Sequence, residues 1–297
     1  MAGLYGLHYE AIWRDALLLP GHDDLFASLA SEVALHYGLE QGDAERRLEA
    51  AWMTRAAHLR QAFPIGGSED ELRTYYSQDD GVLVSMYWHS LRPDRYALHA
   101  VAGLHHVQLL AEGSRVFEFG HGVGSAGILF ARNGFDVTLG DISESYRAFA
   151  AARLAHRSLA VRFVDLVREE PEPGAYDAVV SFDVMEHVPN AIAAVERLRR
   201  ALRPGGVLVM NVAFGLDPAN PEHLLRRRRG FVDRIRPLGF ERVPAPTLLV
   251  YYRSELDALR RSLYRLQDTI AVLSEDAHAR WLRAGRLLSP YRIPPFA

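Results

Sequence analysis

The chain has 297 residues, 49% of them apolar and 24% charged, with a formal net charge of −3. That length can bury one large core, or a core with a smaller appendage, while so weak a charge gives no field for gripping nucleic acid or an anionic membrane. There are no cysteines and no lysines, all 34 basic residues being arginine; disulfides, thiolate metal sites, cysteine nucleophiles (covalent cytosine-C5 methylation included), lysine Schiff bases and P-loop lysines are therefore excluded. No apolar run is long enough to span a bilayer. Met1 to Leu19 carries Glu10, Arg14 and Asp15 among its apolar residues, so it does not read as a secretory signal. The expected location is the cytoplasm, and the arginine-only, alanine-rich usage fits a bacterial chain from a GC-rich genome.

Residues 1 to about 110 read as a helical cap, a region that covers substrate or mediates dimerisation. Asp23 and Asp24 can cap a helix with the stripe Phe26, Leu29, Val33 and Tyr37, closed by Gly38. After Gln41-Gly42-Asp43 a second helix carries Leu48, Trp52, Leu59 and Phe63 and stops at Pro64. Neither stripe can be buried alone, so both must pack on each other, on the core or on a second subunit. Ile65-Gly66-Gly67-Ser68 is a loop. An aromatic segment follows, Tyr75-Tyr76 to Tyr87-Trp88-His89, and then a helix that Pro93 can open and that runs to about Leu110.

From residue 111 to 253 the pattern becomes strand, helix, strand, as in a Rossmann-like doubly wound α/β sheet. Val116, Phe117 and Phe119 make a short buried strand. Gly120, Gly122 and Gly124 come next, and a helix from Ser125 to Arg132 stops at Asn133-Gly134. Such a turn puts bare N–H groups at the strand's carboxyl end, where only glycine tolerates both positive φ and a close ligand. Further strands are expected at Phe135–Leu139 ending at Asp141, Ala160–Val164 ending at Asp165, Tyr176–Phe182 ending at Asp183, and Val207–Val212. Ser143 caps a helix from Glu144 to His156. A helix at Ala191–Leu202 is stopped by Arg203-Pro204-Gly205-Gly206, and another surrounds His223 to Arg236. The last two strands, Phe240–Val243 and Thr247–Tyr252, are joined by so short a link that they must be antiparallel. The expectation is a seven-stranded sheet with an antiparallel last strand. Residues 254–297 form a C-terminal extension whose helix, to about 288, suits packing or association, giving a homo-oligomer or a hetero-oligomer.

Carboxylates therefore recur at successive strand tips: Glu118, Asp141, Asp165 and Asp183, lining one crevice. Gly122 to Gly127 also satisfies the dinucleotide pattern G-x-G-x-x-G. A buried Glu118 would repel a pyrophosphate but suits a ligand carrying an ammonium and a sulfonium. The stretch Glu118-x-Gly120-x-Gly122-x-Gly124 resembles motif I of the class I S-adenosylmethionine-dependent methyltransferases. Phe182-Asp183-Val184-Met185-Glu186-His187-Val188 and Leu202-Arg203-Pro204-Gly205-Gly206 are similar to signatures of their small-molecule branch, related to the quinone-biosynthesis methyltransferases.

The resemblance implies S-adenosyl-L-methionine as cofactor and methyl transfer to an O or N atom of a small metabolite in a specialised biosynthetic pathway. Glu118 and the Gly120, Gly122, Gly124 loop would hold the methionine moiety. Asp141, followed by Ile142, would take the ribose hydroxyls. Asp165 would accept from the adenine amino group while the Leu166 N–H donates to the ring. Phe182 and Asp183 would contact the methionine ammonium and the edge of the acceptor pocket. His187 is the first candidate for a general base, with Tyr75 and Tyr76, along with Trp88 and His89, as a lid. The Asn/Asp-Pro-Pro-aromatic motif of nucleic-acid amino methylation is missing; Ser181-Phe182-Asp183-Val184 stands there. The cap histidines His89, His99, His105 and His106 lack metal-ligand spacing, so no metal is expected. Arg226 to Arg229 reads as a solvated helix face. Two rival readings use the same motifs: a methyltransferase fold repurposed for cyclisation or elimination, and a non-catalytic partner subunit.

Overall fold

The computed structural model describes residues 9–62, 69–76, 79–92, 96–215, 223–225, 227–245 and 248–253. At its centre is the strand Arg115–Phe119 (β1), whose residues point alternately to opposite faces of the sheet. Val116 enters the core on one face and Phe117 and Phe119 the core on the other. Asp136–Asp141 (β2), Arg162–Asp165 (β3), Tyr176–Ser181 (β4), Leu202–Met210 (β5), Phe240–Val243 (β6) and Leu249–Arg253 (β7) complete a seven-stranded sheet in the order β3-β2-β1-β4-β5-β7-β6. The pairs among β1 to β5 are parallel, and β7 lies antiparallel between β5 and β6. The strand order reverses beside β1, so the tips of β1, β2 and β4 border one crevice.

Among the described residues, the helical elements preceding the sheet include Tyr9–Leu17 (α1), Leu25–Tyr37 (α2), Gln41–Ala62 (α3), Glu69–Tyr76 (α4), Asp79–Met86 (α5), a π-helical turn at Tyr87–Leu91 and Leu98–Leu110 (α6). Asp24 accepts from the Ala27 N–H at 2.8 Å and Gly38, at φ 65°, ends α2, as the sequence leads one to expect. The described side chains of the apolar stripes bury against each other and against the core. Leu29, Val33, Leu48, Val82 and Met86 pack with Val123, Tyr146 and Phe149 of the sheet domain. Trp13, Leu17, Tyr96 and Leu104 join the core under β1, β2 and β4. Between the strands run Ser125–Arg132 (α7), Glu144–Ala155 (α8), Ala191–Ala201 (α9) and Arg228–Ile235 (α10).

Most boundaries fall within two residues of expectation, and two differ by more. Strand β5 begins at Leu202, because Leu202 pairs with Tyr176 before the register jumps to Ala178 and Val207. The Arg203-Pro204-Gly205-Gly206 stretch is thus a bulge inside the strand, with Gly205 at φ 74°. The helix expected from His223 begins only at Arg228, residues 223–225 being irregular. The helix expected at 254–288, the 65–68 loop, and Phe63 and Pro93 lie outside the described residues. Among the described residues no helix is long and apolar enough to cross a membrane.

Gly140 in β2 leaves room for Phe117: a Cβ there would stand 2.5 Å from the Phe117 Cζ. Gly140→Ala is therefore expected to cost about 1–3 kcal/mol through overpacking, read as a lower denaturation midpoint with an unchanged slope in urea.

Candidate functional site

The backbone leaving β1 turns through Gly120, Gly122 and Gly124, at φ 74°, 49° and 75°. The Gly120 and His121 N–H groups both donate to the Gly140 carbonyl, at 2.8 and 3.3 Å, and the Gly124 N–H donates to the His121 carbonyl at 2.8 Å. Each glycine has its own reason. A Cβ on Gly120 would meet Val184 at 2.6 Å, and one on Gly124 would meet Ala150 at 2.9 Å. At Gly122 the nearest atom is His89 Nδ1, 4.0 Å away, so this glycine opens onto free space across from the cap. The π-helical turn that carries His89 is a form concentrated at functional sites.

Glu118 is 1% exposed. Neither of its carboxyl oxygens has a well-aligned hydrogen bond among the described residues, the Tyr96 hydroxyl and the Gly127 N–H being the donors closest by. Burial first, and the neighbouring Asp141 second, push its carboxyl well above the ordinary range. Tyr96 is itself buried, stacked on His89 with ring centroids 4.5 Å apart.

Asp141, at the tip of β2, accepts from the Gly122 N–H through Oδ2 and from the Ser143 N–H through Oδ1, both at 2.9 Å. Each oxygen keeps a second lone pair. The carboxylate borders a cavity of about 160 Å³ whose walls include Ile142, Val167, Asp165 and Arg147. Ile142 and Val167 are exposed apolar side chains, which suits a flat ring between them. Val167 was not foreseen; an apolar residue just past Asp165-Leu166 was its only signal. Asp165 accepts from the Val167 N–H at 3.0 Å and has Arg168 and Arg147 at 3.5 and 3.9 Å. One expectation is corrected here. The Leu166 N–H, assigned above to the adenine ring, donates instead to the Asp141 carbonyl at 3.0 Å, continuing the β2–β3 ladder. The Leu166 side chain is buried.

At the tip of β4 the side chain of Phe182 turns inward. Its ring fills the notch at Gly103, where a Cβ would stand 2.5 Å from Cζ, and meets Tyr96 edge-on. Asp183 holds φ 52°, a strained conformation for a non-glycine residue. Asn211, just past β5, secures it: the Asp183 N–H donates to Asn211 Oδ1 at 2.9 Å, and the Asn211 amide donates back to the Asp183 carboxylate. Nothing in the spacing flagged Asn211 beyond its place at a strand tip.

Tyr75, Tyr76 and His187 do come together. The Tyr76 ring lies 5.1 Å from Tyr75 and 6.4 Å from His187, and its carbonyl accepts from Ser143 Oγ at 2.9 Å. His187 faces His223 at 5.1 Å. The ligand atoms of Glu186, His187 and His223 lie within 4.8 Å of one another, a set that could hold a divalent cation. The spacing test applied to the cap histidines could not find it, because His223 arrives from a distant part of the chain. Glu186 Oε1 accepts from the Ala213 N–H at 3.1 Å, while Oε2 is buried without a hydrogen bond among the described residues. Burial and Asp183 push this carboxyl up to about 8. Between the ordinary carboxyl range and about pH 8 the folded chain thus holds a proton that the unfolded chain has released, so stability falls as pH rises. In chelator, denaturant titrations should show this group's share of the fall between pH 6 and 8, at most about 1.4 kcal/mol per pH unit beside a share of the same sign from Glu118; Glu186→Gln should remove the Glu186 share.

Residues 117–208 match the family model described as "Methyltransferase domain". The ubiquinone biosynthesis O-methyltransferase of Xanthomonas oryzae pv. oryzae (strain PXO99A) is 30% identical over 227 residues, 70% of this chain and 85% of that protein. The enzyme of the same name from Xanthomonas campestris pv. campestris (strain B100) is 29% identical, over 68% of this chain and 79% of the other. A solved phosphoethanolamine N-methyltransferase 2 from Haemonchus contortus, in complex with S-adenosyl-L-methionine, aligns with a TM-score of 0.49 and 23% identity, over 60% of this chain and 46% of that one. From its motif residues at the strand tips and its likeness to the two Xanthomonas O-methyltransferases, the chain belongs to the class I S-adenosylmethionine-dependent methyltransferases related to the quinone-biosynthesis O-methyltransferases.

Proposed function

We propose that this chain binds S-adenosyl-L-methionine and methylates a hydroxyl group of a small metabolite. The observation that carries the reading is the buried Glu118 carboxyl, unsatisfied among the described residues, beside a positive-φ glycine turn. A buried carboxyl is costly unless something satisfies it, and an ammonium is the fitting partner. The donor set of the crevice agrees with the rest of the cofactor. Asp141 has lone pairs left for two ribose hydroxyls, Ile142 and Val167 flank a flat ring, and Asp165 accepts from an exocyclic amine.

When bound, the cofactor supplies a methyl group already activated on a sulfonium, so the protein's part is to orient the acceptor, exclude water and manage one proton. Orientation falls to the surfaces of Tyr76, His89 and Asp183. His187, at the edge of the same crevice, receives the acceptor's proton. The relatives' name, ubiquinone biosynthesis O-methyltransferase, favours oxygen over nitrogen and makes hydroxylated quinone precursors the first acceptors to try.

The direct test is incubation with methyl-labelled cofactor and such acceptors, followed by detection of labelled product and S-adenosylhomocysteine; tight cofactor binding with no turnover on any hydroxyl acceptor would refute methyl transfer to oxygen. His187→Ala should lower kcat by about 10²-fold and leave the Kd for S-adenosylhomocysteine unchanged. For Glu118 the sign follows from its raised pKa. Below its raised pKa the free protein holds the proton, the ligand's ammonium favours the ionised form, and binding in that range therefore releases a proton and tightens as pH rises. Calorimetry in two buffers of different ionisation heat should count that proton, and Glu118→Gln should abolish it while weakening binding about 10- to 100-fold.

A further inference from the structure

Behind the glycine turn lies a charge cluster that the proposed chemistry does not use. Glu32 of α2 and Arg153 of α8 are each 1% exposed, and Arg157, just past α8, is also buried. Arg153 Nε donates to Glu32 Oε2 at 2.7 Å, and Arg157 grips both Glu32 oxygens at 2.7 and 2.9 Å. Burial alone would raise the Glu32 carboxyl, but the two guanidiniums together hold it below the ordinary range. Arg157 also donates to the carbonyls of Arg153 and Leu17. The Glu32–Arg157 pair already ties the cap to the end of α8.

Arg153 does something more. Its Nη1 donates to the Val123 carbonyl at 2.6 Å and to Ser125 Oγ at 2.8 Å. The Val123–Gly124 peptide is thereby pinned at both ends, its carbonyl by Arg153 and its N–H by the His121 carbonyl. Fixing that peptide plane fixes the positive φ of Gly124 and, through the tight turn, the placement of Gly122. Ser125 is the first residue of α7, and its hydroxyl also meets Ser90 Oγ of the π-helical turn at 2.8 Å. One guanidinium therefore holds the turn, the N-terminus of α7 and, through Glu32 and Ser90, the cap.

We infer that Arg153, charge-paired to Glu32 of the cap, is a positioning residue for cofactor binding, holding the glycine turn in its ligand-ready shape from behind. The inference rests on the S-adenosylmethionine reading above, and it makes the cap part of the cofactor site as well as a cover for the acceptor.

The test uses the full chain and S-adenosylhomocysteine as probe. Arg153→Lys keeps the charge facing Glu32, but a single ammonium cannot reproduce the planar fork that reaches both Val123 and Ser125. At a temperature where circular dichroism shows the variant folded, its Kd should rise about tenfold, the loss of one charge-assisted hydrogen bond. Amide exchange at residues 120–125 should quicken while the central strands keep their protection. Glu32→Gln should act in the same direction. If that variant does not fold, Arg153→Lys decides alone. A lowered midpoint with a wild-type Kd and unchanged exchange in the turn would reduce the cluster to a staple between cap and core and overturn the inference. Failure of the unaltered protein to bind the probe would overturn both this inference and the cofactor reading, so the two failures are distinguishable.

Discussion

The turn between β1 and α7 must stay tight enough to expose its backbone to a ligand and rigid enough not to collapse onto the Glu118 carboxyl beneath it. The constraint is met from two sides. In front, the Gly140 carbonyl and the Asp141 carboxylate take the N–H groups of Gly120, His121 and Gly122. Behind, Arg153 takes the Val123 carbonyl. Glycine supplies the conformational freedom to enter this shape, and the hydrogen bonds remove that freedom once it is reached. Asp141 thus helps to shape the turn with the same carboxylate whose spare lone pairs face the cavity.

The cap shares in this arrangement. Its helices bury their stripes against α8 and the turn itself, with Val123 and Phe149 in the same apolar cluster as Leu29, Leu48 and Met86. Trp13 Nε1 donates to the Ser90 carbonyl at 3.0 Å, so the π-helical turn that aims His89 at Gly122 is held from a third helix. Tyr146 of α8 reaches back to Ser85 Oγ at 2.9 Å. Cap and glycine turn are therefore mechanically one unit, built from residues far apart in the chain.

How much of this was legible in the sequence follows from what kind of signal each part leaves. Strands β1 to β4 show as short β-prone runs ending in carboxylates, and parallel pairing forces those ends to one edge, so Glu118, Asp141, Asp165 and Asp183 could be placed together without coordinates. The caps at Asp24, Gly38 and Ser143 were equally local. What stayed hidden depends on tertiary approach. Glu32, the one charged residue of a mostly apolar helix, and Arg153, mid-helix on α8, carry no motif that pairs them until the cap closes over them. His223 and Asn211 have no motif of their own. The inward turn of Phe182 and the use of the Leu166 N–H in the ladder are decided by Gly103 of α6 and by the β2–β3 register. A family motif names positions, but it does not say which atoms of those residues are already occupied.

The buried carboxyls fall into two kinds, set apart by where they stand in the fold. Glu32 is buried and fully paired, facing two guanidiniums that hold it ionised. Glu118 and Glu186 are just as buried, yet carry oxygens with no hydrogen bond among the described residues, and burial drives both toward the protonated form. If stability were the only demand, such groups could be paired as Glu32 is, or replaced by apolar residues of similar volume. Both stand instead at the carboxyl edge of the sheet, near a strained Asp183 that the Asn211 side chain restrains. Buried carboxyl oxygens without hydrogen bonds among the described residues and backbone strain coincide there, while the paired cluster lies behind the turn. The cost in folding free energy is thus concentrated where an arriving ligand can offset it.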